Sequence, residues 1–161
     1  MSLPAWQRPL VKIASSRGGS WYFLNVATPI DRRLIPATRG RLSSAPGKPV
    51  CVVETVGARS GQPRRIPLLY AHEGDDLILI ASSTGAKKNP AWFHNIRKNP
   101  SVRVWAPRGR SGEYVARVAE GAERERLWNR ANELYPGYET YDVRSGSREI
   151  PVVALSPRRS A

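Results

Sequence analysis

Three arginines lie close together in the segment 57–65, which reads GARSGQPRR. Arg59 and Arg64 flank a Ser60-Gly61 turn between two apolar runs, and Arg65 follows directly. A guanidinium group matches the oxygens of a phosphate or a carboxylate with its planar fork of donors. The spacing therefore favours a bound anion at this turn. Because Arg65 is one residue out of phase with Arg64, we expect it to face the other way on a strand, as a solvated charge.

Two further segments carry groups suited to binding or catalysis. The loop 82–86 reads SSTGA, and its small residues allow the backbone to come close to a flat ring or a phosphate. Three tyrosines follow at three-residue intervals, Tyr135, Tyr138 and Tyr141, with hydroxyls suited to a substrate oxygen. Tyr135 completes the apolar stripe of a predicted helix. Tyr138 and Tyr141 come after a Pro-Gly pair, and we expect them to be exposed.

The sequence lacks the usual catalytic sets. His72 and His94 are far apart, and no cysteine or paired carboxylate completes a metal site with them, so we expect no metal. Cys51 sits in an apolar run and is expected to be a buried, unreactive thiol. The glycine-rich phosphate-binding motifs are absent as well. If the protein is an enzyme, we expect a bound cofactor to carry the reaction.

The charge is strongly unbalanced: 26 basic residues against 13 acidic ones give a formal net charge of +13 over 161 residues. Such a field attracts nucleic acid, anionic lipid, or a phosphorylated or polycarboxylate ligand. Apolar runs are far shorter than the ~20 residues that span a bilayer, and no signal-peptide pattern is visible, so we expect a cytoplasmic protein. The aromatic run at 21–24 beside Arg32 and Arg33 suggests a peripheral contact with the inner face of the membrane.

Apolar periodicity and turn signals predict about six strands and two clear helices. The strands cover residues 50–56, 66–71, 77–81, 101–106, 113–119 and 150–155. One helix has Asn89 as its N-cap and Pro90 in its first turn, and it ends at Asn99-Pro100. The other covers 122–135, and a less regular helical pattern covers 21–35.

Short connections favour antiparallel strand pairing, and barrel closure would remove exposed sheet edges. We therefore predict a mostly β fold with helices (α+β), in which about six antiparallel strands form a barrel and the helices pack outside. Residues 1–45 are expected to be an N-terminal extension, partly flexible or helical, and residues 46–157 the barrel domain.

Four stretches also occur in a specific order and spacing. They read G-x-R-S-G-Q-P-R-x-x-P-L at 57–68, A-S-x-x-G-A-x-K-N-P-A-W at 81–92, Y-P-G-Y-x-x-Y at 135–141 and R-x-I-P-V-V at 148–153. Together they resemble the deazaflavin-dependent nitroreductase family, the A group of the F420-dependent split-barrel reductases, over about residues 40–156. The resemblance implies a split β-barrel that binds reduced F420, a deazaflavin with a phosphate and an oligoglutamate tail.

The resemblance also implies where F420 binds. The basic turn would hold the anionic part of the cofactor, the loop after the third strand would lie along its ring and phosphate, and the next helix would border it. The residues so implied to bind the cofactor are Arg59, Ser60, Gly61, Arg64, Pro67, Ala81, Ser82, Ser83, Thr84, Gly85, Ala86, Lys88, Trp92 and Asn95.

The activity that the resemblance implies is hydride transfer from the reduced deazaflavin to an electron-poor conjugated carbonyl, quinone or nitro-aromatic. Tyr138, Tyr141 and Ser82 are the catalytic candidates, because they would line the substrate side and stabilise negative charge on an oxygen. The sequence departs from the family pattern at Ala58, at Ser83-Thr84 and at Leu69, where relatives carry a basic residue, a Lys-Gly pair and a tyrosine. The resemblance therefore supports the cofactor better than it supports a particular substrate.

Two alternatives stay open on the residues alone. A related split barrel that binds FMN or haem would also place a basic turn near a phosphate or a propionate. A nucleic-acid-binding barrel fits the charge and the five tryptophans, but no RNP-type motif appears, and we do not expect a nucleic-acid partner. The expected partners are a small-molecule substrate and the anionic cofactor. The sequence is compatible with a monomer or a homodimer.

Overall fold

The computed structural model describes residues 28–44 and 48–158. Its strands are β1 (Val50–Val56), β2 (Pro63–Leu69), β3 (Ala71–Glu73), β4 (Asp76–Ile80), β5 (Ser101–Trp105), β6 (Gly112–Val118) and β7 (Val152–Pro157). Its helices are α1 (Thr28–Ala37), α2 (Ala91–Lys98), α3 (Gly121–Leu134) and α4 (Gly137–Ser145), and a short 3₁₀ turn covers Ser83–Gly85.

Within the described residues, seven strands form one sheet in the order β2-β1-β5-β6-β7-β4-β3. Every neighbouring pair is antiparallel, as predicted. β2 and β3 lie at opposite ends of this order although only Tyr70 separates them along the chain. The sheet must therefore curl until its two ends meet, and β2 and β4 do contact each other. This curvature produces the predicted barrel.

The strand count differs from the prediction at one place. Residues 66–71 were expected to form a single strand, but the ladder breaks at Tyr70, whose N–H donates to the carbonyl of Pro49. The chain leaves β2 there and begins β3, which pairs with β4 through Ala71, His72 and Glu73. Apolar periodicity continues through the break, and this continuity explains why the sequence indicated six strands instead of seven.

The barrel interior forms the main hydrophobic core. Alternate residues of the strands point inward, and α2 adds Trp92, Phe93 and Ile96 to the same cluster. β1 is buried on both faces: Cys51 and Val53 face this core, whereas Val50 and Val52 pack against Ile35 of α1. Burial raises the pKa of the Cys51 thiol to about 12. The expectation that this thiol is buried is confirmed.

A second core lies between the sheet and the helices α3 and α4. Ile78, Ile80 and Val152 belong to the same buried cluster as Leu127 and Ala131, which are one helical turn apart on α3. The predicted helix 122–135 corresponds to α3 with a shift of one residue. α4 was not predicted, because the Pro-Gly pair at 136–137 indicated a loop. Pro136 instead occupies the N-cap position of α4.

The helix α1 packs on the barrel. Its residue Ile35 is 1% exposed, and the chain then turns at Gly40, whose φ is +82°. A Cβ on Gly40 would lie 2.4 Å from the carbonyl carbon of Ala106, so this approach requires glycine. The described part of the predicted 21–35 helix is helical from Thr28 and continues past Pro36 to Ala37, two residues beyond the predicted end. The aromatic run 21–24 lies outside the described residues.

No helix in the described part of the chain is long and apolar enough to cross a bilayer.

Candidate functional site

The basic turn joins β1 to β2 through a compact hydrogen-bonded loop. The N–H of Gly57 donates to the carbonyl of Gln62, and the N–H of Gly61 donates to the carbonyl of Gly57; each donor–acceptor distance is 2.8 Å. Gly61 has a φ of +67° and nothing within 4 Å of the Cβ position, so its backbone is open to a ligand. The side chains of Arg59, Ser60 and Arg64 are exposed. The turn therefore offers donors to solvent on its outer side.

The three arginines of the turn differ in their partners. Arg65 lies on the opposite side from Arg64, as predicted, but it is more than a solvated charge: its Nε donates to Glu54 Oε2 over 2.7 Å, and it stacks 4.8 Å from the Trp105 ring centroid. The Arg64 guanidinium has one hydrogen-bond partner among the described residues, Ser60 Oγ, at 3.5 Å. Arg59 has no hydrogen-bond or ion-pair partner among the described residues. Two guanidinium charges are thus uncompensated at one exposed turn, a donor set that fits an anion.

The helix α2 holds this turn in place. Asn95 Oδ1 accepts from the N–H of Ala58 over 2.8 Å, and Asn95 Nδ2 donates to Thr55 Oγ1 over 2.9 Å. Lys98 Nζ donates to the carbonyl of Ala58 over 2.7 Å. The Asn95 amide is buried and directed at the turn backbone. These contacts couple the position of α2 to that of the two unpaired arginines.

The loop after β4 has an unusual backbone. Ser83, Thr84 and Gly85 have φ values of 48°, 54° and 83°, so three successive residues are left-handed. Such conformations are unfavourable for residues with a Cβ, especially β-branched ones. The loop closes through hydrogen bonds from Gly85 N to Ser82 O and from Ala86 N to Ser83 O. Strained, well-defined backbone of this kind is often found at ligand-binding sites.

The loop also packs tightly against α4. A Cβ on Gly85 would lie 2.6 Å from Arg144 Cβ and 3.0 Å from the carbonyl of Tyr141. Ser82 is 9% exposed, and its hydroxyl has no hydrogen-bond partner among the described residues. A hydroxyl without a partner in the protein can hydrogen-bond to a ligand oxygen.

One residue that the sequence did not single out as a site residue binds this loop from the far side. Arg148 donates to the carbonyls of Ala81, Ser82 and Ala86 at 3.2, 2.9 and 3.0 Å, and to Asn89 Oδ1 at 2.6 Å. The prediction of Asn89 as the N-cap of α2 is therefore wrong: Pro90 occupies that position, and Asn89 binds Arg148 instead. The R-x-I-P-V-V stretch at 148–153 was the sequence signal for Arg148, but it did not indicate which residues the arginine would contact.

The other predicted binding residues are placed differently. Ala81 is buried at the end of β4, and Ala86 and Lys88 are exposed at the other end of the loop. Pro67 is buried in β2. Trp92 is 4% exposed and packs edge-to-face on Phe93 in the barrel core. The structure thus brings the loop 81–86 next to α4, and the basic turn next to α2.

The three tyrosines form one aromatic cluster on the second core. Tyr138 and Tyr141 are each 6% exposed, so the expectation that they are exposed is wrong. Residues 137–145 form a helix that turns both side chains toward Tyr135. Ring centroids lie 5.1 Å apart for Tyr135 and Tyr138 and 6.5 Å apart for Tyr138 and Tyr141, and the hydroxyls of Tyr135 and Tyr141 are 3.3 Å apart.

The environment of the cluster keeps its phenols protonated. Burial, and secondarily the neighbouring Tyr141, raise the pKa of Tyr138 above its usual range. Burial and the hydrogen bond to Tyr141 raise the pKa of Tyr135 as well. Tyr138 and Tyr135 are therefore neutral at physiological pH and can act as hydrogen-bond donors. The Tyr138 hydroxyl has no hydrogen-bond partner among the described residues.

Two surface cavities lie outside the basic turn and the tyrosine cluster, and the second is lined in part by Asn89. One of about 750 Å³ is bordered by the β3–β4 turn and α3, and includes His72, Arg126 and Arg130. The other, of about 540 Å³, lies beside Phe93, Arg124 and Glu149. No group of three or more His, Cys, Asp or Glu side chains suited to a metal ion occurs within residues 28–44 and 48–158.

Comparison with known proteins identifies the family. A family model described as F420H2-dependent quinone reductase matches residues 30–157. An F420H2-dependent quinone reductase of Mycobacterium tuberculosis is 37% identical over 125 residues, which cover 75% of this chain and 83% of that protein. A putative F420H2-dependent quinone reductase of the same organism is 33% identical, over 68% of this chain and 91% of the relative.

Solved structures agree with this assignment. The structure of an F420H2-dependent reductase (FDR-A) is 35% identical, with a TM-score of 0.59 over 67% of this chain and 94% of that one. A haem storage protein of Vibrio cholerae shares the fold at 15% identity, with a TM-score of 0.52 over 71% of this chain and 84% of that one. The chain belongs to the F420H2-dependent quinone reductase family, which confirms the predicted split barrel, the oxidoreductase class and reduced F420 as the cofactor.

Proposed function

We propose that this protein reduces a quinone with reduced F420, and that the basic turn, the left-handed loop and the tyrosine cluster form its active site. The observation that carries the proposal is the pair of uncompensated arginines, Arg59 and Arg64, on a turn that α2 holds in place. A phosphate and an oligoglutamate tail are the kind of anions that such a pair binds.

Arg59 and Arg64 hold the anionic part of the cofactor, and the backbone of Ser60 and Gly61 lies against it. Each charge-assisted contact contributes about 1.5–3 kcal/mol to binding. Neither arginine has a carboxylate partner among the described residues, so cofactor binding does not require an existing ion pair to break. Lys88, exposed beyond the loop, adds a further positive charge.

The loop Ala81 to Ala86 borders the flat ring of the cofactor. Ser83, Thr84 and Gly85 turn the backbone tightly, so the ring can approach main-chain atoms at this point. Pro67, Trp92 and Asn95 do not contact the ring themselves. They hold β2 and α2 in place relative to the loop and the turn. Reduced F420, when bound, supplies a hydride from its deazaflavin ring.

Tyr138, Tyr141 and Ser82 serve the substrate. Hydride addition leaves negative charge on a quinone oxygen, and a neutral phenol or hydroxyl that donates to this oxygen stabilises it. Tyr138 is protonated because its burial raises its pKa, and the Ser82 hydroxyl has no competing partner among the described residues. One proton, from a tyrosine or from water, then completes reduction to the quinol. The aromatic walls of the cluster suit a flat apolar ring.

We propose quinones as the substrate class because the relatives act on quinones according to their names. The matched relatives are named as quinone reductases, and nothing at the site selects for a nitro group. We propose in addition that residues 46–157 form the cofactor-binding domain, with 1–45 as an extension that contributes α1. A solved structure with 35% identity is a domain-swapped dimer, so a homodimer is one of the two assemblies to test.

We also propose a cytoplasmic location with a peripheral contact at the inner membrane face. Quinones reside in membranes, and the aromatic run 21–24 beside Arg32 and Arg33 is suited to an anionic surface. Co-sedimentation with anionic and with neutral vesicles tests this contact. Equal sedimentation with both, at the level of a vesicle-free control, would remove it.

The decisive experiment measures oxidation of reduced F420 with a panel of quinones, enones and nitro-aromatics. We expect turnover with quinones, and binding of F420 in preference to FMN and haem. Tight binding of FMN or haem without binding of F420 would refute the cofactor. Turnover of nitro-aromatics alone would refute the substrate class.

A further inference from the structure

We propose that Arg148 is a positioning residue that fixes the loop 81–89 in the conformation that binds the cofactor. This inference rests on the proposed function, because it concerns the same site. Arg148 lies just before β7, and the sequence motif that contains it has no other role in the proposed mechanism.

The guanidinium reaches both ends of the loop at once. Its Nη1 and Nη2 donate to the carbonyls of Ala81 and Ser82, before the left-handed turn. Its Nε donates to the carbonyl of Ala86, and Nη1 also donates to Asn89 Oδ1, after the turn. One rigid group thus closes the loop across its base.

The loop needs such a restraint. Ser83 and Thr84 carry side chains but adopt positive φ, so an unrestrained chain would relax toward right-handed or extended backbone. The two hydrogen bonds inside the turn span only residues 82–86. Gly85 packs against the Tyr141 carbonyl and the Arg144 side chain, but it makes no hydrogen bond to them in the turn. Arg148 therefore supplies the bonds that tie the two ends together.

Arg148 is itself held firmly. Ser145 Oγ lies 2.7 and 2.8 Å from the carbonyl oxygens of Asp142 and Arg148 and shares its one hydrogen between them, which fixes the backbone where α4 ends. On the other side, the N–H of Ala81 donates to the carbonyl of Pro151 over 3.0 Å, and β4 pairs with β7 beyond it. The clamp is thus built on rigid elements.

Lysine cannot replace this arginine. Four acceptors in different directions require the planar set of donors on a guanidinium, whereas an ammonium group is a single point with three donors. Among the described residues no carboxylate forms an ion pair with the guanidinium, whose hydrogen bonds go to carbonyl and amide oxygens of the loop. Arg148→Lys keeps the positive charge but removes the ability to bind both ends of the loop at once.

The test compares Arg148→Lys with Arg124→Lys. Arg124 is a matched control, because it is also partly buried and donates to the carbonyl of Ile150, but it does not contact the loop. Hydrogen–deuterium exchange is measured on a peptide covering 81–90 in cofactor-free protein, and F420 affinity is measured by fluorescence titration. We expect Arg148→Lys to speed exchange in this peptide and to weaken F420 binding by about tenfold or more, since charged hydrogen bonds are lost.

The kinetic signature separates positioning from general damage. We expect KM for reduced F420 to rise about tenfold in Arg148→Lys while kcat changes less than about threefold, and Arg124→Lys to change neither beyond about twofold. Asn89→Ala removes one of the four acceptors and leaves Arg148 in place, so it should give an intermediate effect even if Arg148→Lys folds poorly.

Two outcomes overturn the proposal. One is unchanged exchange over 81–90 in both Arg148→Lys and Asn89→Ala. The other is faster exchange in these variants with unchanged F420 affinity. A wild-type protein that fails to bind F420 refutes the proposed cofactor instead. The exchange result then still decides whether Arg148 holds the loop.

Discussion

The neighbouring residues Arg64 and Arg65 provide the sharpest test of the anion-binding turn. Both are exposed arginines on β2, but Arg64 has only a 3.5 Å contact with Ser60, whereas Arg65 pairs with Glu54 at 2.7 Å and stacks on Trp105. Replacing each with alanine therefore removes the same side chain from two different environments. The two variants should rank in opposite order for stability and for cofactor binding.

The magnitudes follow from these contacts. Arg64→Ala should change the free energy of unfolding by less than about 0.5 kcal/mol, as is usual for a surface residue without strong partners. The same change removes a charge-assisted contact of about 1.5–3 kcal/mol with the cofactor, so the dissociation constant for F420 should rise roughly tenfold to 100-fold. Arg65→Ala should cost about 1 kcal/mol of stability, from an exposed ion pair and a cation–π contact, and leave affinity within about twofold.

The assay is fluorescence titration of F420 at two salt concentrations, combined with urea denaturation of each variant. Added salt should weaken wild-type binding more than binding by Arg64→Ala, because one screened contact is already gone. Equal affinity of Arg64→Ala and wild type would refute the anion-binding role of the turn. Equal weakening by Arg65→Ala would show that overall charge matters and not the direction of Arg64.

Three further predictions concern the rest of the site. Tyr138→Phe keeps the ring but removes a donor to the substrate oxygen, so kcat should fall by about 10²–10³ with an unchanged melting temperature; full turnover on every accepted quinone would exclude this role. Thr84→Gly relieves a φ of 54° and should raise the free energy of unfolding by about 0.5–1 kcal/mol in urea; a loss of stability would contradict the strain. Asn95→Ala removes the acceptor of the Ala58 N–H and the donor to the Thr55 hydroxyl, and it should cost about 2–3 kcal/mol; a neutral result would show that α2 does not hold the turn.

Local patterns account for what could be predicted. The opposite directions of Arg64 and Arg65 follow from the two-residue period of a strand, and the structure confirms them through the Arg65–Glu54 pair. The apolar face of α3 follows from the helical period, with Leu127 and Ala131 on the buried side. These are short-range consequences of backbone geometry, so they do not depend on the rest of the fold.

The errors have a common cause in long-range packing. Tyr138 and Tyr141 follow a Pro-Gly pair, which by itself indicates an exposed turn, but the second core recruits residues 137–145 into a buried helix. Asn89 looked like a helix cap because its side chain is a good one, but Arg148, 59 residues later, competes for it. Neither the packing of 137–145 on the second core nor the Arg148–Asn89 hydrogen bond can be predicted from the residues next to them in sequence.

The sequence by itself determined the class of the protein: the antiparallel barrel, the family motifs, and the basic turn whose arginines can bind an anionic cofactor. Only the tertiary structure decided which groups work together. Asn95 reaches the turn across 37 residues of chain, and Arg148 reaches Ala81 across 67, because β-sheet pairing brings these segments side by side. Periodicity and turn chemistry act within a few residues, whereas a hydrogen bond between distant segments exists only after the barrel has closed.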